Sequence, residues 1–560
     1  MVPHRVFETG QSSDIRIVAK RCIFEKPARP LVPWCGFRRF PCAARLPGLA
    51  MVIACLLLPS CDRRNPEWEL GGRPEVRIGF SSGPLDLDPH ANSEEVTNNL
   101  CFHIFDPLVF LDRNLKVVPW VASSWQNPDV TTWIFTIRPG IRFHDGTPLT
   151  SADVVYSIER IRALKLSPKK PFVLAVKSIR ALDAERVEIV TREPYMPLLI
   201  KLSQIMILPS HYYEKHPLEY VKYHPMGSGP YKPVSVDCDR RILLEAVPDH
   251  WRGEKVFPRL RFDFVGDEQK RTDLLMSGGL DFIKEPASSR YAELEQGGRF
   301  RVVQTDGIRL LFMGLTFKEK LADGSPNPFR DTEVRQAISL ALDRGRLCRE
   351  TLSGMATPAS QLVPPLVFGY TPGIPVPRIE PEKARRILAA KKFPFGKVFD
   401  IHYPADKYFR IRETVEACCR QLGSVGVQVR ALSVPTRVFI PTAADGKYDL
   451  LITGWSAITG DTSDFFENCF HSRVEGSSYG FFNPVDYSKP DMDEMIEASA
   501  HLARRDTRLA MLQKIMGECM NELIWIPLYF LEDSYAYRSD LEFRPRVDRY
   551  VMASDLEPRQ

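Results

Sequence analysis

A serine in a G-x-S-x-G context is the most direct candidate for covalent chemistry in this sequence. Residues 476–480 read G-S-S-Y-G, and in hydrolases this pattern places a nucleophilic serine on a sharp turn between a strand and a helix. Residues 471–475 precede it and residues 481–484, F-F-N-P, follow it; neither segment suits those elements. The pattern therefore indicates a flexible loop and does not favour an enzyme.

Metal and cofactor chemistry has little support either. The twelve cysteines and eleven histidines are scattered, and no C-x-x-C, H-E-x-x-H, P-loop or dinucleotide fingerprint occurs in the sequence. The adjacent Cys418 and Cys419 lack the spacing of zinc ligands. A large domain needs no disulfide framework. We therefore expect no cofactor, no metal and free, buried thiols.

The N-terminal region combines a basic flank, a short apolar run and a cysteine. Arg38, Arg39 and Arg45 precede apolar residues 46–59, and the run ends in L-P-S before Cys61. These features are typical of a secretory signal peptide, and the last four residues resemble a bacterial lipobox. The resemblance implies lipid on Cys61 that anchors the protein to a membrane in the periplasm or cell envelope. A plain cleaved signal with a chance cysteine is the alternative.

The excess of positive charge lies in this same leader. The formal net charge is +5, but residues 1–60 contain nine basic and three acidic residues, and the remainder contains 66 basic and 67 acidic residues. A nearly neutral protein has no global field that attracts nucleic acid, so we expect no nucleic-acid partner. Residues 62–72 are polar and contain glycine, which is typical of a tether.

Strand and helix patterns alternate along the rest of the chain. Alternating apolar residues predict a strand over 76–80 and a hairpin formed by 133–137 and 141–143. Thr150 and Asp153 resemble a capping box that begins a helix. Apolar spacing and flanking signals predict four further helices, over 98–110, 332–342, 381–391 and 409–422, and a strand over 427–434. This interleaving predicts a mixed α/β class.

A series of short motifs follows in a fixed order. Its members are L-D-P-H at 87–90, D-P-L-V-F at 106–110, V-P-W-V-A-S-S-W at 118–125, W-I-F-T-I-R at 133–138, G-T-P-L-T-S-A-D-V at 146–154, G-S-G-P-Y at 227–231 and P-D-H-W at 248–251. Segments 267–281, 329–344, 454–466 and 525–528 continue it. Over 76–528 the series resembles the extracellular solute-binding proteins of peptide- and nickel-type ABC importers.

The resemblance implies a periplasmic-binding-protein-like fold of the α/β class: a two-lobed clamp (type II, peptide-binding subclass) with an extra lobe. It also implies a monomer that encloses its ligand by hinge closure, with an ABC permease and ATPase as partners. The expected bounds are a leader with lipoprotein signal peptide (1–60), a tether (61–73), a first lobe in three segments (74–107, 208–308 and 529–560), an extra lobe (108–207) and a second lobe (309–528).

The resemblance further implies which residues contact the solute. Relatives hold extended peptides by main-chain hydrogen bonds and accommodate the side chains in hydrated pockets. The candidate ligand-binding residues fall in three segments: Ala91, Asn92, Ser93, Glu94 and Glu95; Gly227, Ser228 and Gly229; and Gly454, Trp455, Ser456, Ile458 and Asp461.

Ile458 departs from the family pattern. In peptide binders the first aspartate after Gly-Trp pairs with the ligand's α-ammonium, and Ile458 has that position here. Isoleucine cannot pair with an ammonium, so either the ligand lacks this group or a different acid supplies the anchor. The candidates are Asp461, Asp464, Glu94 and Glu95. A glycoside, a nickel or haem complex, and a ligand-sensing lipoprotein without transport remain as alternatives.

Overall fold

The computed structural model describes residues 75–165, 167–253, 257–405, 407–475, 477 and 479–559. The predicted leader, Cys61 and the tether lie outside these residues, as do Gly476 and Ser478 of the G-S-S-Y-G pattern. In the part of the chain that is described, no helix has the length and apolar character that crossing a membrane requires.

The strands alternate with helices from the beginning of the described chain to its end. In chain order the strands are β1 (Val76–Phe80), β2 (Val109–Leu111), β3 (Val117–Pro119), β4 (Ala122–Gln126), β5 (Thr132–Ile137), β6 (Val176–Ala181), β7 (Arg186–Thr191), β8 (Tyr231–Asp237), β9 (Arg241–Ala246), β10 (Arg259–Phe264), β11 (Phe282–Lys284), β12 (Phe300–Leu315), β13 (Ala356–Pro358), β14 (Val398–Pro404), β15 (Gln428–Val434), β16 (Leu450–Ser456), β17 (Trp525–Arg538), β18 (Leu541–Phe543) and β19 (Leu556–Pro558).

The α-helices are α1 (Glu95–Ile104), α2 (Ser151–Ala163), α3 (Leu198–Leu202), α4 (Ser210–Tyr213), α5 (Leu218–Val221), α6 (Glu268–Met276), α7 (Tyr291–Glu295), α8 (Thr332–Leu340), α9 (Arg344–Arg346), α10 (Pro381–Ala390), α11 (Ile411–Ser424), α12 (Thr436–Ala444), α13 (Thr462–Cys469), α14 (Pro490–His501) and α15 (Arg505–Glu522). A π-helical turn at Leu347–Thr351 and 3₁₀ turns at Lys170–Phe172, Ser288–Arg290, Gln296–Gly298, Pro328–Arg330 and Ala553–Asp555 complete the helical segments.

Eleven strands form the largest sheet, in the order β15-β14-β16-β12-β17-β11-β1-β10-β9-β8, with β13 also paired to β17. The strands β12 and β17, of 16 and 14 residues, run antiparallel through its middle. The pairs β1–β10, β1–β11, β14–β15 and β14–β16 are parallel. Parallel neighbours need long crossover connections, which the intervening helices provide. The α/β class predicted from the sequence is confirmed.

A bulge divides the two central strands into halves. The register between β12 and β17 shifts between Thr305 and Arg309. Before the shift β17 lies between β12 and β11, and after it β12 lies between β17 and β16. A Cβ atom at Gly307 would lie 1.9 Å from the Leu531 carbonyl oxygen, so the bulge requires glycine there. Bulges bend strands, and the sheet changes its packing partners at this point.

Each half of the sheet has its own core, which defines two lobes. The half with β1 and β10 packs around one hydrophobic cluster, which includes Phe105, Phe262 and Tyr535; this is the first lobe. The half with β14 and β16 packs around two others, which include Phe399 and Trp525; this is the second lobe. The two-lobed architecture that the motifs implied is therefore present.

A separate four-stranded sheet, β4-β5-β7-β6, forms an extra lobe with its own cluster around Phe135. The predicted hairpin of 133–137 with 141–143 is wrong, because β5 pairs with β4 and β7. Ile141 and Phe143 are buried, but the backbone around them bonds locally, to Leu149 and Thr147. Alternation reports which side chains are buried and does not identify the pairing partner.

The sequence predicts where the helices begin better than where they end. The capping box at Thr150 is present, and the Asp153 carboxylate accepts the Thr150 backbone N–H at 2.9 Å. The helix predicted over 98–110 instead spans Glu95–Ile104. It ends early because Phe105 is extended and Asp106 precedes Pro107, and the residue before a proline is disfavoured in helical conformation.

Candidate functional site

Several of the family motifs meet at one buried carboxylate, that of Asp106. It accepts hydrogen bonds from the indole nitrogens of Trp120 (2.8 Å) and Trp251 (3.3 Å) and from the Ser228 hydroxyl (2.9 Å), and it contacts the Arg252 guanidinium. The buried carboxylate needs these donors because an unpaired buried charge is costly. These motifs therefore have a structural function, which is to fasten the extra lobe to the first lobe.

The predicted ligand-binding loop at 227–229 is part of this contact between the extra lobe and the first lobe. A Cβ atom at Gly227 would lie 2.2 Å from the Ile104 carbonyl oxygen, and one at Gly229 would lie 2.5 Å from the His103 carbonyl oxygen. Only glycine allows the loop to approach the C-terminal end of α1 so closely. All three residues, with Ser228 between the glycines, are buried.

A cavity of about 840 Å³ lies between the two lobes. The first lobe contributes the end of β1, the start of α1 and the α6–β11 region, whereas the second lobe contributes the segment between β14 and α11. Residues of the central strands form its floor. The lining residues are Phe80, Ser81, Ser82, Gly83, Leu85, Glu94, Glu95, Val96, Asn99, Gly266, Glu268, Arg271, Lys284, Glu285, Pro286, Ser288, Tyr291, Arg309, Met355, Lys407, Tyr408, Phe409, Arg410, Thr436, Leu531, Glu532, Ser534 and Arg549.

Three cations surround Glu95 at the floor of this cavity. Its carboxylate contacts Lys284 Nζ and Arg309 Nη2 and lies 3.5 Å from Arg549 Nη1. Burial alone would raise the pKa of Glu95, but the charges of Arg549, Lys284 and Arg309 outweigh it and hold the pKa well below its usual range. Glu95 is therefore ionised and neutralised within the protein.

The contact between Glu95 and Arg309 joins the two lobes. Glu95 begins α1 in the first lobe. Arg309 follows the bulge in β12, donates to the Ser456 hydroxyl at 3.3 Å and lies over the Tyr408 ring. Tyr408 in turn donates to the Gly454 carbonyl oxygen at 3.0 Å. Closing the lobes thus completes a chain of polar contacts across the cavity floor.

Arg549 links a second set of acids to the same floor. Its guanidinium forms an ion pair with Asp533 and lies 3.1 Å from Glu285 Oε1. Burial raises the pKa of Asp533 to about 6, although Arg549 acts in the opposite direction. Lys284 donates to the Arg549 carbonyl oxygen at 3.1 Å. Positive and negative groups alternate in this cluster, so each charge has a neighbour of opposite sign.

The predicted segment 91–95 reaches the cavity at its C-terminal end. Glu94 is exposed and lines the cavity beside Glu95. Ser93 is also exposed, whereas Asn92 is buried and donates to Asp86 at 2.6 Å, and Ala91 is half-buried and bonds back to Asp88. Among the described residues of this segment, the two glutamates face the solute space and the three before them shape the loop.

The five predicted residues of segment 454–461 are not among the described residues that line the cavity. Gly454 and Ser456 touch Tyr408 and Arg309, which line the cavity. Trp455 stacks on Phe482 with 5.2 Å between ring centroids, and Ile458 packs against the same hydrophobic cluster.

Asp461 is engaged within the second lobe. It accepts the Ser463 backbone N–H at 2.9 Å at the start of α13. It also pairs with both terminal nitrogens of Arg508, at 2.6 and 2.9 Å. A bidentate pair of this kind fixes the loop geometry.

Sequence reasoning missed the cations that dominate the cavity. Lys284, Arg309 and Arg549 are isolated charged residues far apart in the sequence, and each lies outside the motifs used to choose candidate residues. Short-range patterns contain no signal for such a cluster, because it forms only when the central strands bring the three segments together. Within the described residues, no group of three histidine, cysteine or acidic side chains is arranged to hold a metal ion.

Two lobes joined by two long strands, with a charged cavity between them, define a binding protein of the type that encloses a small solute. A family model, "Bacterial extracellular solute-binding proteins, family 5 Middle", matches residues 116–477. The chain belongs to this family.

Individual relatives are distant but cover most of the chain. Heme-binding protein A of Haemophilus influenzae is 22% identical, covering 86% of this chain and 93% of its own. Glutathione-binding protein GsiB of Escherichia coli O1:K1 / APEC is 24% identical, covering 86% and 92%. The solved periplasmic binding protein DppA of Helicobacter pylori, in complex with peptide STSA, superposes with a TM-score of 0.76 at 19% identity, covering 87% and 98%. These likenesses support the two-lobed fold.

Replacing Glu95 by glutamine tests the charge cluster. The change removes the carboxylate that neutralises three cations, so the free energy of unfolding is expected to fall by about 3 kcal/mol, measured by urea denaturation of ligand-free protein. Glu94→Gln, at the adjacent exposed position, is the matched control and is expected to change it by less than about 0.5 kcal/mol. Equal effects of the two changes would contradict the cluster.

Proposed function

We propose that this protein captures a peptide or peptide-like solute between its lobes and delivers it to the permease and ATPase of an ABC importer. The observation that carries the proposal is the cavity of about 840 Å³ between two lobes that share two central strands. Its volume lies within the range of small-molecule sites, about 300–1,000 Å³. Membership of an extracellular solute-binding family supports capture and delivery rather than catalysis.

The charges in the cavity favour a peptide-like solute. Of its 28 lining residues, six are cationic and five are acidic. A solute with several hydrogen-bonding groups and charges of both signs matches such a lining. The relatives named for glutathione and the structure with a bound peptide support the same solute class.

Capture depends on motion about the bulge in the central strands. We take the hinge to lie where β12 and β17 change register, between Thr305 and Arg309, and the second lobe to span 309–528. A solute that contacts both lobes stabilises the closed state by its differential affinity for that state. The protein then makes no bond in its solute, acts as a monomer and needs no cofactor.

Co-purification followed by mass spectrometry tests the solute class. Protein purified without denaturation is expected to carry a peptide or peptide-like compound. When the compound is removed and added back, the protein is expected to become more compact in small-angle X-ray scattering, because the lobes close. The compound should be recovered unchanged after prolonged incubation. A chemically altered compound would contradict the binding role, and a co-purified compound of another class would contradict the peptide assignment.

Ile458 is expected to reduce affinity for free peptides. Calorimetry of wild-type protein with tri- to pentapeptides is expected to show weak binding, and Ile458→Asp is expected to improve it by about tenfold, because in the family pattern a carboxylate at this position pairs with the peptide ammonium. Ile458→Asn is the control, because asparagine has the shape of aspartate without its charge. This variant should show no gain in affinity. Tight binding of such peptides by the wild type would contradict this assignment.

We also propose that lipid on Cys61 holds the protein at a membrane outside the cytoplasm. The basic flank, the apolar run and the cysteine after Ser60 support this arrangement. Cys61→Ser is expected to move the protein from the membrane pellet to the soluble fraction after cell fractionation, because the acyl chains supply the membrane affinity. Continued pelleting of the variant would show that a different segment is the anchor.

A further inference from the structure

A fully buried lysine of the extra lobe lies between two acids of the second lobe. Lys201, on α3, donates to Asp464 Oδ1 at 2.6 Å and lies 3.1 Å from Glu467 Oε2. Lys201 is 1% exposed, and the two acids on α13 are also buried. Leu198 and Leu202 on either side of Lys201 belong to the core of the extra lobe, so its stem is fixed there.

The acid pair is built to hold one cation. The Tyr195 hydroxyl donates to both oxygens of Glu467, at 3.2 and 3.1 Å. The Asn468 side chain donates to Asp464 Oδ1 at 3.0 Å. These neutral donors orient the two carboxylates but add no positive charge. Lys201 is therefore the cation in direct contact with both carboxylates, and Arg508 and Lys169 act on them only as further charges. Removing one partner of an ion pair this deeply buried strongly destabilises a protein.

The cluster opens on a second cavity, of about 390 Å³, between the extra lobe and the second lobe. Tyr195 and Glu467 line that cavity, so Glu467 is the member of the acid pair that borders it. The neighbouring acid Asp461 is already paired with Arg508. In the described part of the α13 region, two cations of the protein thus serve these three buried acids, because Asp464 and Glu467 share Lys201.

From this geometry we propose that Asp464 and Glu467 form an ammonium-binding site, and that Lys201 fills it with an ammonium from the protein's own extra lobe. Lys201 thereby supplies, from within the chain, the ammonium that these two carboxylates would otherwise take from a small molecule in the second cavity. This assignment goes beyond the proposed function. The existence of the filled ammonium site does not depend on the solute's identity.

Lys201→Ala, combined with a small amine, tests the site directly. The truncation leaves room for n-propylammonium, which replaces the missing three carbons and the nitrogen. At about 20 mM this ion is expected to raise the melting temperature of the variant by about 2 °C. It should leave the wild type unchanged, and propanol should stabilise neither protein. If the variant folds poorly, its refolding yield with and without n-propylammonium replaces the melting temperature as the readout.

The chain offers a matched control at Lys169. This lysine is also fully buried and lies, like Lys201, 5.5 Å from the Phe172 ring, but its hydrogen-bond partner is the neutral Asn98 amide oxygen at 3.0 Å. Burial lowers the pKa of Lys169 to about 8, and the charge of Asp464 opposes this only in part. Lys169→Ala should therefore show no rescue by n-propylammonium. A triple variant, Lys201→Ala with Asp464→Asn and Glu467→Gln, should show none either. Equal rescue of Lys169→Ala, or no rescue of Lys201→Ala, would overturn the proposal.

Discussion

The pairing of buried charges is the constraint that governs how the lobes of this protein meet. A charge removed from water without a partner destabilises a fold by several kcal/mol, and each lobe presents such charges to the other. Glu95 of the first lobe contacts Arg309 beyond the bulge, and Lys201 of the extra lobe contacts Asp464 and Glu467 of the second. In this structure these groups pair with each other, so the contacts between the lobes stabilise it without a solute.

The family motifs and the solute cavity are separate features of the molecule. The motif residues Trp120, Ser228 and Trp251 converge on Asp106, where they fasten the extra lobe to the first lobe. The cavity is lined by residues that lie mostly outside these motifs. Such a division allows the residues that line the cavity to change without disturbing the contacts that fasten the lobes.

Local patterns predicted the elements of this fold well and its long-range geometry poorly. The strand at 76–80, the capping box at Thr150 and the α/β class depend on neighbouring residues, and the structure confirms them. The partner of β5 and the early end of α1 depend on distant contacts and on Pro107, and both predictions were wrong. The motif resemblance led to Glu94 and Glu95, whereas the cations around Glu95 come together only in the folded chain.

The antiparallel course of β12 and β17 also makes the second lobe a removable insert. Arg309 and Leu531 are paired neighbours in the sheet, so the chain leaves the first lobe and re-enters it at adjacent points. A segment whose ends lie so close together can be exchanged as a unit without stretching its surroundings. Recombination between relatives could therefore graft a foreign second lobe onto this first lobe, provided the graft preserves the glycine at the bulge and supplies acids to meet Lys201.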